Sequence, residues 1–310
     1  MNGQYNYYLG FDFREFTTFI KSFSPGLAKD FMIVFKNRPL VIGTMHGKEQ
    51  VIAPVLESSI GVNCFIPAAF NTDTLGTFSG EIERVLDPVE TVRKKCLMAM
   101  DATGCDMGIA NEGSFGPHPS LPFLHADDEW LIFIDRKHQI EILVRELSFE
   151  TNYQGREVAP GDDLEDFLQS VKFPQHSVMV RPLDNPSKWI KGLCSKEALT
   201  HAFNTIFASD KRCWIETDMR AMHNPTRMGV IEKAARKLVT AILSTCPSCS
   251  MPGFVVTADT RGLPCELCGL PTSSVLSHIY TCKHCSFEQE MPFPYGKESE
   301  DPMYCQHCNP

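Results

Sequence analysis

The chain has 310 residues, 43% of them apolar, and a formal net charge of −9. That length holds about two domains with a proper core, and it excludes a small disulfide-stapled scaffold. No run approaches the ~18 uninterrupted apolar residues of a membrane helix, and the start, MNGQYNYYLGFDF, lacks the form of a signal peptide.

Residues 1–38 read as an aromatic-rich extension. Phe13, Phe16, Phe19, Ile20 and Phe23 recur at helical spacing, and Ser24-Pro25-Gly26 ends that helix. From residue 39 the pattern alternates. Strands are expected at 40–43, 62–67, 107–110, 130–135, 140–147, 177–181 and 213–216. Helices are expected at 48–58, 88–103, 164–171, 196–208 and 226–244. The alternation predicts an α/β domain over 39–245, with a mixed central sheet flanked by helices.

Three polar groups fall where these strands are expected to end. The first is Gly43-Thr44-Met45-His46-Gly47-Lys48-Glu49, a strand–loop–helix junction. Such a junction aims backbone N–H groups and a helix N-terminus at an anion, and Lys48 adds positive charge. It is not a Walker loop, because the two-glycine frame is missing. Thr44, His46 and Gly47 are expected to contact substrate there. The second group is Asn111 to Pro119, read as a turn after strand 107–110. It offers the Glu112 carboxylate, the Ser114 hydroxyl and the His118 imidazole, and Glu112 suits Mg²⁺. The third group is Glu216 to Arg220 with His223 to Arg227. Arg220 and Arg227 can grip a phosphate, Asp218 is a candidate acid, and Asn224 or Thr226 can cap the following helix. Weaker candidates are Asp73, Thr77 and Glu81, Asp135 with Arg136, Glu150 to Asn152, and Lys191. A Ser114–His118–Asp135 triad has no nucleophile elbow to support it.

The C-terminal 65 residues hold four Cys-x-x-Cys pairs: Cys246/Cys249, Cys265/Cys268, Cys282/Cys285 and Cys305/Cys308. Two residues between cysteines let both sulfurs face one ion, and two such turns complete a four-thiolate site. The expectation is two small zinc ribbons over 246–310, each with a structural Zn²⁺. Taken in sequence order, the pairs give four cysteines to each ion; a cross-braced pairing of 246/249 with 282/285 stays open. This segment has three basic residues against seven acidic ones. A ribbon that grips a phosphate backbone should be basic, so nucleic acid is the less favoured partner and a protein the better one. Thirteen cysteines with no export signal point to reduced thiols and a cytoplasmic chain. Cys64, Cys96, Cys105, Cys194 and Cys213 read as core residues.

The segments GTMHGKE, NTDTLGTFSGE, NEGSFGPHPSLPF and ETDMRAMHNPTRM, with the four cysteine pairs, resemble an uncharacterised bacterial family, a domain of unknown function with a C-terminal zinc ribbon. The resemblance spans about residues 40–310. The order strand, Thr-x-x-x-Lys, helix, then a helix bearing Arg93, Lys94 and Lys95, then an acidic-Gly step also resembles the inosine/xanthosine triphosphate pyrophosphatase fold. That resemblance implies phosphate contacts at Thr44 and Lys48 and a metal at Glu112. It places Asn224 to Arg227 where that family has a base-contacting Ser-His-Arg segment, although this chain reads Asn-Pro-Thr-Arg. The Asp-Asp-Ser-Gly turn of one branch is absent.

These readings converge on a Mg²⁺-dependent hydrolase of a nucleotide or other phosphorylated small molecule. Lys48, Glu112, His118, Asp218 and Arg227 are the expected catalytic groups. The competing expectation is a non-enzymatic adaptor or ligand sensor whose ribbons bind a protein.

Overall fold

The computed structural model describes residues 34–68, 70, 86–118, 121–185 and 187–310. The expected helix over residues 13–23, and Asp73, Thr77 and Glu81, lie outside the described residues. The chain divides into a larger unit, residues 35–239, and a C-terminal unit from residue 240. No helix among the described residues is long and apolar enough to cross a membrane.

The larger unit contains two sheets. The first has five strands: β1 (Pro39–Gly43), β2 (Asn63–Phe65), β3 (Met107–His118), β4 (Leu121–Asp135) and β5 (Ile140–Ser148), in the order β2-β1-β3-β4-β5. β1 is parallel to both β2 and β3, whereas β3–β4 and β4–β5 are antiparallel. The parallel half needs helical crossovers, and α1 (Glu49–Ile60) and α2 (Pro88–Thr103) supply them. Asp87 caps α2 by accepting from the N–H groups of Val89 and Glu90. Glycines let α2 lie close to the sheet. A Cβ on Gly43 would come within 2.9 Å of the Ala99 Cβ, and one on Gly108 within 2.6 Å of Met100. Leu40, Val41, Ile42, Ile109, Leu131, Ile132 and Phe133 fill the core beneath.

The sequence pattern suggested a turn from Asn111 onward. β3 instead runs through to His118 and pairs with a β4 that begins at Leu121. Gly113, Gly116 and Pro117 had read as breakers. Pro117 is accommodated by a shift in the pairing at Pro117/His118, and Gly113 answers a side-chain need described below.

The second sheet has the order β6-β9-β7-β8 and is wholly antiparallel. It comprises β6 (Gly155–Val158), β7 (Val178–Pro182), β8 (Ile190–Leu193) and β9 (Cys213–Thr217). α3 (Glu165–Ser170) and α4 (Lys196–Phe207) pack on it through Phe167, Leu199, Ala202 and Ile206. Two of its strands, β6 and β8, are only four residues long and gave no alternation to read. α5 (Pro225–Leu243) follows β9.

The C-terminal unit is a three-stranded antiparallel sheet of β10 (Val255–Arg261), β11 (Val275–Thr281) and β12 (Glu288–Pro292). Its core is small: Phe254 and Tyr280 with Cys246 and Cys282, flanked by Met251, Val256, Phe287 and Met291. Among the described residues the buried apolar groups of this unit are few, so a further source of stability is expected.

Candidate metal centres and a buried charge cluster

The eight cysteines of the C-terminal unit gather into two groups: Cys246, Cys249, Cys282 and Cys285, and Cys265, Cys268, Cys305 and Cys308. The pairing is therefore cross-braced, not sequential. Strand direction explains it. The first knuckle enters β10 where β11 leaves, since Val255 pairs with Thr281. The 246/249 and 282/285 turns thus meet at one end of the sheet, and the other two pairs meet elsewhere.

All four knuckles share one backbone pattern. The residue after the second cysteine donates its N–H to the carbonyl of the first: Ser250 to Cys246, Gly269 to Cys265, Ser286 to Cys282 and Asn309 to Cys305, at 2.8–2.9 Å. Ser250, Gly269 and Ser286 take the left-handed conformation, with φ of 62°, 70° and 58°. Across the groups, Sγ–Sγ distances are 3.7 Å (Cys246–Cys285), 3.6 Å (Cys249–Cys282), 3.9 Å (Cys265–Cys308) and 3.7 Å (Cys268–Cys305). A tetrahedron of thiolates about 2.3 Å from a central ion has edges of about 3.8 Å. The crowding also splits the thiols. The Phe287 N–H brings Cys285 down to about 7, while burial and the neighbouring sulfurs push Cys249 up to about 12. Four sulfurs in this space ionise together only around a cation, so each group could hold one metal ion.

The larger unit holds a second concentration of chemistry. β1 ends opposite Ala110, so β3 loses that neighbour at Asn111. There the Lys48 ammonium donates to Asn111 Oδ1 at 2.6 Å. The Asn111 amide donates to Glu129 Oε2 at 2.8 Å, and Arg227 Nε donates to Glu129 Oε1 at 2.7 Å. Arg227 also donates to the Met219 carbonyl at 2.6 Å and lies 4.9 Å from the Phe115 ring centre. Lys48, Asn111, Glu129 and Arg227 are all buried. Gly113 faces Glu129 across the β3–β4 pairing, and a Cβ there would sit 2.5 Å from both Glu129 oxygens and 2.6 Å from Arg227 Nη2. Glycine at 113 therefore makes room for the ion pair.

Burial, reinforced by the Arg227 charge, brings Lys48 down to about 7. Burial opposes ionisation of Glu129, but Arg227 and Lys48 outweigh it and hold its carboxyl low. Asp127, two residues earlier on the same face of β4, is pushed up to about 9 by burial and the Glu129 charge. Between its ordinary value of 3.8 and about 9, folded Asp127 keeps a proton that the unfolded chain has released, so stability falls as pH rises across that window. Asp127→Asn removes the fall. In buffer without divalent cations, the variant should gain on wild type by up to about 1.4 kcal/mol per pH unit between pH 5 and 8 in urea titrations. A constant difference across those pH values would contradict this.

The loop before α1 sits beside the cluster. His46 and Gly47 both have positive φ, 69° and 75°, which is uncommon for a histidine. Burial, then the positive charges of Lys48, Arg220 and Arg227, brings His46 down to about 4. His46 is thus neutral near pH 7 in an electropositive setting. Thr44 is buried, and its hydroxyl donates to the Met45 carbonyl.

The other expected site residues are placed differently. Glu112 pairs with Lys95 of α2 and leaves β3 on the face opposite Asn111. Ser114 stands opposite Asp128, and His118 stacks on Phe149 with ring centres 4.6 Å apart. Asp135 pairs with Met107 at the far end of the hairpin and accepts two bonds from Arg38. It is roughly 23 Å along β4 from the residue opposite Ser114, so no triad forms. Asp218 takes both Nε and Nη2 of Arg220 and the Gly192 N–H, and Arg220 holds its carboxyl low against the effect of burial. Asn224 caps α5 by accepting from the Arg227 N–H and donates to Asn152. Asp127 and Glu129 had not been singled out for the site, and Lys95 had been named only among the basic residues of the expected helix over 88–103. The signal was present as acidic residues in ADDEW at the start of an apolar strand.

No functionally curated protein matches the chain. The sequence motifs suggested family likeness from about residue 40, whereas the match begins at residue 95 and leaves the 44–49 loop outside it. Both cysteine groups and the β3–β4 hairpin lie within it. The chain belongs to the family described as Domain of unknown function (DUF6671), whose model matches residues 95–310.

Proposed function

We propose that the larger unit binds the phosphates of a nucleotide or another phosphorylated small molecule and hydrolyses a phosphoanhydride with Mg²⁺. One observation carries the reading: the charges of Lys48, Arg220 and Arg227 act together on His46, in a positive-φ turn at the N-terminus of α1. Successive N–H groups in such a turn form a concavity for an anion, and the helix end adds partial positive charge. Buried cations behind the turn act through low dielectric, where they stabilise charge developing on a phosphoryl oxygen without reorganising. Neutral His46 supplies the closer contact, and Arg220, with Nε and Nη2 held by Asp218, adds positive charge. The sequence resemblance to the inosine/xanthosine triphosphate pyrophosphatase fold, carried by Thr44 and Lys48 around this loop, supports the same reading. A nucleoside triphosphate is therefore the first substrate to try. The metal of each cysteine group is Zn²⁺ in this reading. Four thiolates leave no open coordination position, so its role is structural.

The test is a screen of nucleoside di- and triphosphates with Mg²⁺, reading phosphate or pyrophosphate release. His46→Ala should lower kcat/KM at least tenfold with an unchanged melting temperature. An empty screen, or full activity in that variant, would count against the site.

A second reading is favoured by the surface of the Cys265/Cys268/Cys305/Cys308 group. Leu267, Leu270, Met303 and Tyr304 are exposed there, Leu267 by 74%, in an acidic segment. Large apolar groups on a polar rim suit a protein contact, as in an adaptor. A stoichiometric complex recovered from extract with an empty hydrolysis screen would select it.

A further inference from the structure

We propose that Asp127 and Glu129 form a binding site for a divalent metal ion of the Mg²⁺ or Mn²⁺ class. The inference deepens the hydrolase reading and rests on it for its purpose, while the site itself is tested by binding alone.

Glu112 was the expected metal ligand. Its carboxylate is taken by Lys95, on the opposite face of β3 from Asn111. Asp127 and Glu129 are two residues apart on β4 and so leave the same face. Their partners across the pairing are Phe115 and Gly113, on the face that also carries Asn111. Gly113 contributes no side chain, and the space above it is taken by the Glu129 carboxylate and Arg227 Nη2.

The second observation is the state of Asp127. It is 0% exposed, no N–H or O–H group of another residue reaches either carboxyl oxygen, and its side-chain neighbour is the Glu129 carboxylate. Leaving a buried carboxyl unsatisfied is costly, and in native structures such a group calls for an explanation. A bound cation supplies one. Glu129 can share that ion. Each of its oxygens accepts one bond, from Asn111 or Arg227, and keeps a further acceptor site. Two carboxylate oxygens with water, and phosphate oxygens when substrate is present, match how Mg²⁺ is usually held. Lys48 and Arg227 lie close enough to act on Asp127. Their charge makes an anionic ligand the natural companion of the ion, which fits a metal–phosphate substrate.

The experiment uses the full chain with its cysteine groups loaded with zinc. Mn²⁺ is titrated while backbone amide signals are followed by NMR. Paramagnetic broadening should centre on residues 111–115 and 127–131. Asp127→Asn should weaken Mn²⁺ binding at least tenfold, whereas Glu112→Gln should leave it within twofold. Broadening centred elsewhere, absence of Mn²⁺ binding, or unchanged affinity in Asp127→Asn would overturn the proposal. The wild-type map decides even where a variant fails to fold. Mn²⁺ bound at 127–129 with an empty hydrolysis screen would leave the site and remove the hydrolase. Turnover without Mn²⁺ at 127–129 would do the reverse.

Discussion

Replacing Cys246 and Cys282 together with serine should release one metal ion per chain; replacing Cys246 and Cys265 together should release both. The difference follows from the cross-braced groups, because the first pair of substitutions falls in one group and the second pair is split between two. Sequential pairing would give the opposite result. Elemental analysis of purified protein reads the count directly, with two ions in wild type. Folding of the C-terminal unit should depend on the same ions. Among the described residues of the 246–310 segment, the large apolar groups that are buried are Leu263, Phe254 and Tyr280. Structural Zn²⁺ supplies about 10–16 kcal/mol in small zinc peptides, and a metal ion held by four thiolates is expected to act likewise here. A strong chelator should therefore melt β10–β12, seen as loss of protected amides over 246–310. Retention of that protection after the metal is removed would contradict the account.

Arg227→Met should destabilise the larger unit by about 3–5 kcal/mol, because it leaves the Glu129 carboxylate buried and unpaired. Arg227 and Glu129 are both fully buried, and the pair is tied to the Met219 carbonyl, Asn111 and Phe115. Arg227→Met combined with Glu129→Leu should recover most of the loss, since the uncompensated charge is gone. Urea unfolding of the single and double variants checks both statements. A double variant as unstable as Arg227→Met alone would show that the guanidinium acts mainly through packing.

The architecture was legible where periodicity is strong. The helix expected over 88–103 has those bounds, and β1, β5, β7 and β9 fall within a residue or two of expectation. β3 beyond Asn111 was not legible, because Gly113 and Pro117 carry turn chemistry. Glycine there answers the volume of Glu129 and Arg227, a contact between positions 98 residues apart that no local pattern displays. The cysteine ligands were legible as a set, since Cys-x-x-Cys fixes a knuckle locally. Their grouping depends on which strand ends meet, which spacing alone left open. Among the polar candidates, Lys48 and Arg227 do belong to one cluster. Asn111, with a side chain that bridges Lys48 to Glu129, had read as the first residue of a loop, and Glu129 gave no motif.

The central claim is that the turn at His46–Gly47, backed by buried cations, receives a phosphate chain. Calorimetric titration of inorganic tripolyphosphate into the full chain at low ionic strength tests it most directly. The account predicts saturable one-to-one binding that weakens at least tenfold in Lys48→Met and in His46→Ala, and that falls as salt is raised. Binding of equal strength in wild type and both variants, or no binding in wild type, would contradict it.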